Sequence, residues 1–127
     1  MKNLTDSALE IYSDDFRPVA SFPASGLVPS VSIVCSVVKK ESGFSVFTTK
    51  FGPVVGLPSP VAGVSLIVSA LVRRACPDRL DLFSPGAPFR DRSGFVIGVI
   101  GLSSNLAPVP ILPPKSYQLS GSFEFSR

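Results

Sequence analysis

The segment Val31–Phe51, with the sequence VSIVCSVVKKESGFSVFTTKF, contains two runs of strand-forming residues separated by a short polar stretch. Val31–Val38 is rich in β-branched residues, and Phe44–Phe51 combines aromatic and β-branched residues. The polar stretch Lys39–Gly43 between them contains a glycine, which is typical of a hairpin turn. The segment therefore predicts a β-hairpin, and the same strand-forming character continues along much of the chain.

Three further runs predict strands. Val64–Val72 places serines on one face, and Phe95–Leu102 is apolar on both faces, as a central strand would be. In Tyr117–Ser126, apolar and polar residues alternate with a period of two, which is typical of a half-buried strand. Short edge strands are predicted at Val19–Phe22 and Arg79–Phe83.

Proline-rich connections separate these runs. Proline removes a backbone donor and fixes φ, so these connections are predicted to be turns or extended crossovers. They cover residues 22–29, 52–60, 84–88 and 108–114. Strands spaced in this way predict an all-β fold: a single-domain antiparallel sandwich, a jelly-roll-like fold or a small barrel.

The first residues have a different pattern. Leu4–Phe16 is predicted to form a short helix, because Ser7 and Glu10 have the spacing of a capping box. Apolar residues recur there at helical spacing, namely Leu4, Ala8, Ile11 and Tyr12. A frayed polar tail is the alternative. The predicted organisation is an N-terminal helix or arm over residues 1–17, followed by a β domain over residues 18–127.

The composition excludes several classes of chemistry. The 127 residues include no His and no Trp, so no His-based catalytic triad and no His-ligated metal can form. The chain lacks the glycine-rich phosphate-binding motifs as well, and we predict that it is not an enzyme and has no cofactor. Cys35 and Cys76 are too few for a disulfide framework. Two buried thiols are favoured over a single bridge.

Two weaker motifs have simpler interpretations. Ser36 and Lys39 match the S-x-x-K pattern of penicillin-binding enzymes, but on a strand residues three apart point to opposite faces. Asp78, Asp81 and Asp91 could ligate a hard cation such as calcium. Arginines are interleaved with these carboxylates, so mutual salt bridges are the simpler prediction, and no metal site is predicted.

Basic residues are the only candidate binding set. Twelve Lys and Arg against nine Asp and Glu give a formal net charge of +3, and arginines are concentrated between Arg73 and Arg92. The candidate nucleic-acid or anion-binding residues are Arg73, Arg74, Arg79, Arg90, Arg92 and Lys115. No aromatic pattern typical of RNA-binding sheets accompanies them, and solvated loop charge is the alternative.

A membrane interpretation competes with the β fold. The intervals Pro18–Val38, Phe51–Val72 and Ser93–Pro114 carry no charge and are each 21 or 22 residues long, about the length of a bilayer-spanning helix. Each contains two or more prolines, and repeated breaks in a lipid-exposed helix leave backbone groups unpaired. We therefore favour strands and keep a small membrane-associated protein as the alternative.

The apolar content predicts self-association. Val31–Val38, Phe95–Leu102 and Leu106–Leu112 are more apolar than a domain of this size can bury, and surplus apolar surface usually meets a partner. The predicted function is a non-enzymatic structural subunit, capsid-like or scaffold-like, that forms a homo-oligomer and contacts nucleic acid through its arginines. A stand-alone nucleic-acid-binding β module is a further alternative. No small-molecule substrate is predicted.

The N-terminus predicts the compartment. Acidic residues, including Asp6 and Glu10, stand where the apolar core of a signal peptide would lie. An intracellular chain, cytoplasmic or part of an assembled particle, is the prediction.

Overall fold

The computed structural model describes residues 1–108 and is mostly β. Its elements, in chain order, are β1 (Lys2–Asn3), β2 (Leu9–Tyr12), β3 (Pro18–Phe22), β4 (Ser30–Glu41), β5 (Phe44–Val55), β6 (Leu66–Ile67), α1 (Ala70–Ala75), β7 (Leu82–Arg90) and β8 (Val96–Ser104). The predicted strand at Tyr117–Ser126 and the proline-rich segment before it lie outside the described residues, except for Pro108. The all-β class is confirmed.

The strands form two sheets. Six strands pair in the order β1-β6-β7-β8-β2-β3, and β4 pairs with β5 alone. In the larger sheet β1 and β7 both run parallel to β6, and β2 runs parallel to β8. The prediction of a purely antiparallel fold is therefore wrong for this sheet. The strands β1 and β2 come from the N-terminal segment and insert beside strands formed much later in the chain, whereas β6 and β7 are parallel because α1 forms the crossover between them.

The N-terminal helix predicted at Leu4–Phe16 is wrong, and the side chain of Asn3 shows why. Its Nδ2 donates to the carbonyl oxygens of Ser7 (2.9 Å) and Phe22 (3.0 Å). Its Oδ1 accepts from the backbone N of Thr5 (2.9 Å) and from the Thr5 hydroxyl (2.6 Å). Asn3 is only 2% exposed, and these bonds hold the chain in a turn that leads into β2. Long-range hydrogen bonds thus take precedence over the local capping pattern.

The segment Val64–Val72 is also not the strand that was predicted. Only Leu66 and Ile67 are in a strand, and α1 begins at Ala70. The hydroxyl of Ser69 accepts a hydrogen bond from the backbone N of Val72, as an N-cap residue does. The strand therefore ends where a serine can start a helix.

The predicted turn at residues 84–88 is instead part of β7, which continues through Pro85 and Pro88. Prolines are tolerated here because β6 pairs only with Leu82 and Phe83, so within residues 1–108 no strand pairs with β7 beyond them on that side. Phe83 therefore lies between β6 and β8, and residues 79–81 are not in a strand, so the edge strand predicted at 79–83 is wrong.

Three predictions are confirmed. The hairpin at residues 31–51 forms, although its strands extend further, from Ser30 to Glu41 and from Phe44 to Val55. The short strand at Val19–Phe22 forms at the edge of the larger sheet as β3. The run Phe95–Leu102 forms β8, which lies between β7 and β2 in the interior of the sheet, as its two apolar faces predict.

The core consists of two clusters. One contains Leu4, Leu66, Val68, Val72 and Leu82, and the hairpin residues Val31 and Val54 pack against it. The other contains Leu9, Ile11, Ile67 and Val99. Adjacent residues of a strand face opposite sides of a sheet, so Leu66 and Ile67 bring the two clusters to its two faces. The base of the hairpin is anchored in the first cluster.

Gly98 permits β2 to approach β8. A Cβ at this position would lie 2.5 Å from the Cε1 of Tyr12 and 2.6 Å from the carbonyl oxygen of Glu10. Real Cβ atoms do not approach their neighbours so closely, and one of the contacts is with backbone that cannot rotate away. Glycine at this position therefore allows the N-terminal segment to join the sheet.

Candidate functional site

The β4–β5 hairpin is the most exposed regular element among residues 1–108. Every residue of β4 from Ser32 to Glu41 is exposed, and only Val31 and Val54, near the open end, pack against the core. Twelve-residue strands extend about 40 Å. A two-stranded hairpin of this length is marginal without further packing. The element therefore has the form of an arm with a surface left uncovered.

The side chains on this arm are largely apolar. Six large ones are at least half exposed: Val34, Val37, Val38, Phe44, Phe47 and Val55. The register places Ile33 opposite Phe51 and Val37 opposite Phe47, which forms an apolar strip along one face. The other face is more polar, with Val34 opposite Lys50 and Ser36 opposite Thr48. A nonpolar strip that faces water is typical of a contact surface.

The outer edges of the hairpin differ from each other. The edge of β5 carries Lys50 and Pro53, and both residue types discourage the addition of another strand. The edge of β4 carries no charge and no proline from Ser32 to Val38. It therefore lacks this protection over the central part of the arm.

Cys35 lies in the middle of the apolar strip and is exposed, so the prediction that both thiols are buried is wrong. Its Sγ lies 3.8 Å from the hydroxyl of Thr49 on the paired strand. Cys76 is half-buried, and the two cysteines do not form a disulfide. Cys35 is thus a natural reporter group on the arm.

A groove lies elsewhere on the molecule, beside β8. Its volume is about 530 Å³, and its lining combines the N-terminal segment Thr5–Glu10 with Val96–Val99 of β8 and with Ser69, Ala70 and Pro85. Leu9, Val96, Ile97 and Val99 supply apolar side chains, and Val96 and Ile97 are exposed. Asp6 and Glu10 supply the acidic groups of the lining. Sequence patterns do not indicate this groove, since its walls come from distant segments.

Six basic residues are predicted to bind nucleic acid or anions, and the five that the structure describes are not brought together. Arg73 and Arg74 are on α1, whereas Arg90 ends β7 and Arg92 lies in the turn after it. The Arg73 side chain contacts Ser84, and Arg90 lies about 20 Å further along the strand. Arg79 lies between α1 and β7, and Lys115 lies outside the described residues. The described members therefore belong to separate places on the surface.

Arg73 is engaged in an internal network. Its Nε donates to the hydroxyl of the fully buried Ser84 (2.8 Å), and its Nη1 donates to the Ser104 carbonyl (3.2 Å) and to Asn105 Oδ1 (3.0 Å). The Asn105 amide in turn donates to the carbonyl oxygens of Arg73, Cys76 and Arg79. Arg73 therefore joins α1 to the ends of β7 and β8.

Arg79 is paired with Asp81. Two hydrogen bonds, from Nε to Oδ1 (2.9 Å) and from Nη2 to Oδ2 (2.8 Å), join the side chains, and Nη2 also donates to the Pro58 carbonyl (3.0 Å). The hydrogen bond from Arg79 is the main cause that lowers the pKa of Asp81, and the same bond raises the pKa of Arg79. This ion pair is of the kind that the interleaved charges predict.

We expect Asp81→Asn to destabilise the protein by about 1–3 kcal/mol at pH 7, because it removes a charged hydrogen-bond acceptor from a pair that is mostly shielded from water. A lowered folded-state pKa means that the contribution is present above the unfolded pKa and is lost as pH falls through the folded one. The difference from wild type should therefore shrink below about pH 4. Urea unfolding at pH 7 and pH 3, with exposed Asp78→Asn as the control, measures this. A difference that does not depend on pH would contradict it.

Three predicted basic residues, Arg74, Arg90 and Arg92, are exposed. Arg90 donates to the Gly94 carbonyl (2.8 Å), within the turn that Asp91 closes by accepting from the backbone N of Ser93 and Phe95. These side chains retain donors that face water, so nucleic-acid contact stays a prediction for them.

The remaining motifs are placed as follows. Lys39 lies 3.6 Å from Glu41 in an exposed ion pair, and Ser36 is opposite Thr48 on the hairpin. Within residues 1–108, no three Cys, Asp or Glu side chains are close enough together to hold a metal ion. No helix in this part of the chain has the length and apolar character needed to cross a membrane.

No known protein family, curated protein sequence or solved structure matches this chain.

Proposed function

We propose that this protein is a non-enzymatic structural subunit that associates with copies of itself through the β4–β5 hairpin, in a capsid-like or scaffold-like assembly. The observation that carries the proposal is the arm itself: ten consecutive exposed residues of β4, Ser32 to Glu41, and an apolar strip that nothing within residues 1–108 covers. Burial of such a strip contributes about 25 cal/mol for each Å² of apolar surface removed from water. An arm of this kind is stabilised when it is covered.

Self-association is the simplest way to cover it. Sheet edges and apolar sheet faces are the surfaces through which β proteins most readily assemble, and each copy supplies the same arm. The proposal includes a jelly-roll-like or sandwich packing of the sheets. Contacts within one copy and contacts between copies would both contribute to this packing.

Nucleic acid is the second partner in this proposal. The exposed side chains of Arg74, Arg90 and Arg92, together with a net charge of +3, support contact with phosphates. Such contact does not depend on the sequence of the nucleic acid. It would accompany the assembly of copies around a polyanion and would not replace their self-association.

We expect the double variant Val37→Thr/Phe47→Thr to lower the average mass in solution to that of the monomer, under conditions in which the wild type associates. Both side chains belong to the apolar strip and are at least half exposed, so the substitutions remove contact area at little cost to the fold. Size-exclusion chromatography with light scattering, over a hundredfold range of protein concentration, measures this.

The matched control is Val19→Thr/Leu80→Thr, which makes similar changes at exposed positions away from the arm. It should associate as the wild type does, and circular dichroism should show unchanged strand content in both variants. A wild type that stays monomeric across the range would overturn the proposed function. So would equal association of the arm variant and the control.

A further inference from the structure

We propose that the distal end of the hairpin of one copy docks in the groove beside β8 of the next copy. This inference rests on the proposed function and adds the receiving surface to it. The contact joins two different surfaces, so it is heterologous and extends to chains or rings rather than stopping at a dimer.

The positive charges of the hairpin favour an acidic surface, such as the groove, as its partner. The hairpin carries Lys39, Lys40 and Lys50 against the single acid Glu41. Since Glu41 pairs with Lys39, Lys40 at the tip lies in no ion pair within residues 1–108. Two such arms placed side by side would bring like charges together, which disfavours pairing of one arm with another.

The groove carries the opposite charge. Asp6 and Glu10 are both exposed and line it, and the segment between them contains no basic residue. Glu10 accepts a hydrogen bond from the Ser21 hydroxyl (2.6 Å), which holds its carboxylate on the β2–β3 pair. Neither acid forms a salt bridge with any residue in the described part of the chain. Complementary charge of this kind steers association and fixes register.

The apolar parts of the two surfaces correspond as well. The tip presents Phe44, which is 60% exposed and pairs with Glu41, one register position beyond the pair of Lys40 with Ser45. The groove presents Val96 and Ile97, which are exposed, next to the acids. An aromatic side chain that enters an apolar groove with charged pairs at its margin is the arrangement typical of well-packed interfaces.

The experiment reverses the charges on each surface separately. One variant is Lys39→Glu/Lys40→Glu at the tip, and the other is Asp6→Lys/Glu10→Lys in the groove. Each alone should raise the Kd of association by about tenfold or more, because like charges then face each other. In an equimolar mixture both contacts between the two variants are complementary, because the reversed tip faces the reversed groove and the native tip faces the native groove. Alternating assemblies should therefore form, with a Kd within about threefold of wild type. The controls Lys2→Glu and Asp14→Lys change exposed charges outside the proposed contact and should leave association unchanged.

A disulfide test locates the contact. In a background with Cys35→Ser, the single variants Phe44→Cys and Ile97→Cys should form a mixed disulfide under mild oxidation only when they are combined. Unaltered Cys35 should give little disulfide dimer in the wild type, since the tip-in-groove contact does not bring two arms together.

The outcomes separate this inference from the proposed function. If the wild type associates but both charge variants associate equally well, or rapid Cys35 disulfide formation shows two arms face to face, the tip-in-groove contact is wrong and hairpin-mediated assembly survives. If mixing does not restore association, or the groove variant alone is affected, the groove takes some other ligand and the inference is overturned. If the wild type is monomeric throughout, both proposals fail.

Discussion

Replacement of Asn3 by Ala should lower the free energy of unfolding by about 2–4 kcal/mol, a large effect for one residue. The side chain is buried and makes four hydrogen bonds that join β1, the following turn and the end of β3. Alanine would leave the carbonyl oxygens of Ser7 and Phe22 and the backbone N of Thr5 without this partner. The half-buried backbone groups of Thr5 and Phe22 that lose this partner account for most of the expected loss.

Urea unfolding followed by circular dichroism, at a protein concentration low enough to prevent association, measures the effect. Lys2→Ala, at the exposed neighbouring position, should change stability by less than about 0.5 kcal/mol. Asn3→Asp should also destabilise, since a carboxylate accepts at both oxygens and cannot donate to the two carbonyls. Wild-type stability in Asn3→Ala would show that the side chain does not hold the N-terminal segment in the sheet.

Arg73→Gln should destabilise the protein by about 2–3 kcal/mol, whereas Arg74→Gln should be nearly neutral. The two arginines are adjacent on α1, but only Arg73 donates to the buried Ser84 hydroxyl, to the Ser104 carbonyl and to Asn105. Loss of the guanidinium leaves these acceptors unpaired at the junction of α1 with β7 and β8. Arg74 is exposed and makes no such bonds among the described residues.

The same two variants distinguish a structural role of Arg73 from a phosphate-binding role of Arg74. Thermal unfolding should show a lower Tm for Arg73→Gln alone. Retention on a polyanion column, compared at several salt concentrations, should decrease only for Arg74→Gln if exposed arginines bind phosphates. Equal stability of the two variants would contradict the assignment of Arg73 to the internal network.

The parts of the fold that sequence patterns predict are those governed by local side-chain chemistry. The β-branched run Val31–Val38 and the aromatic run Phe44–Phe51 predict the hairpin because strand preference and turn chemistry agree there. Phe95–Leu102 predicts an interior strand because both of its faces are apolar. The local pattern is sufficient in these segments, since no distant residue opposes it.

The sequence predictions are wrong where hydrogen bonds to a distant residue determine the local backbone conformation. Asn3 fixes residues 5–7 in a turn through bonds that reach Phe22, and the capping pattern at Ser7 and Glu10 cannot indicate this. The alternation of buried Leu9 and Ile11 with Glu10 and Tyr12 is the sequence feature that could have indicated β2.

The turn predicted at residues 84–88 is wrong for a related reason, because Pro85 lies within a strand. Proline is compatible with a strand when one side of the strand has no neighbour, and the length of β6 determines that.

The candidate site likewise has one part that the sequence indicates and another part that it does not. Exposure of the hairpin follows from an apolar content too large for the core, which composition indicates. The acidic groove does not follow from any one motif, because Thr5–Glu10 and Val96–Val99 meet only through the parallel pairing of β2 with β8. Within the basic set, Arg73 and Arg79 form internal hydrogen bonds, which positive charge in the sequence does not indicate.

Hydrogen exchange measured by mass spectrometry at low and high protein concentration tests whether copies associate through the hairpin. We expect amides of residues 32–51 to exchange freely in dilute solution and to become protected, by tenfold or more, as the concentration rises. Peptides from β3, an exposed edge strand outside the proposed contact, should exchange at the same rate under both conditions. Exchange in residues 32–51 that is independent of concentration, while the mass in solution increases, would contradict the account.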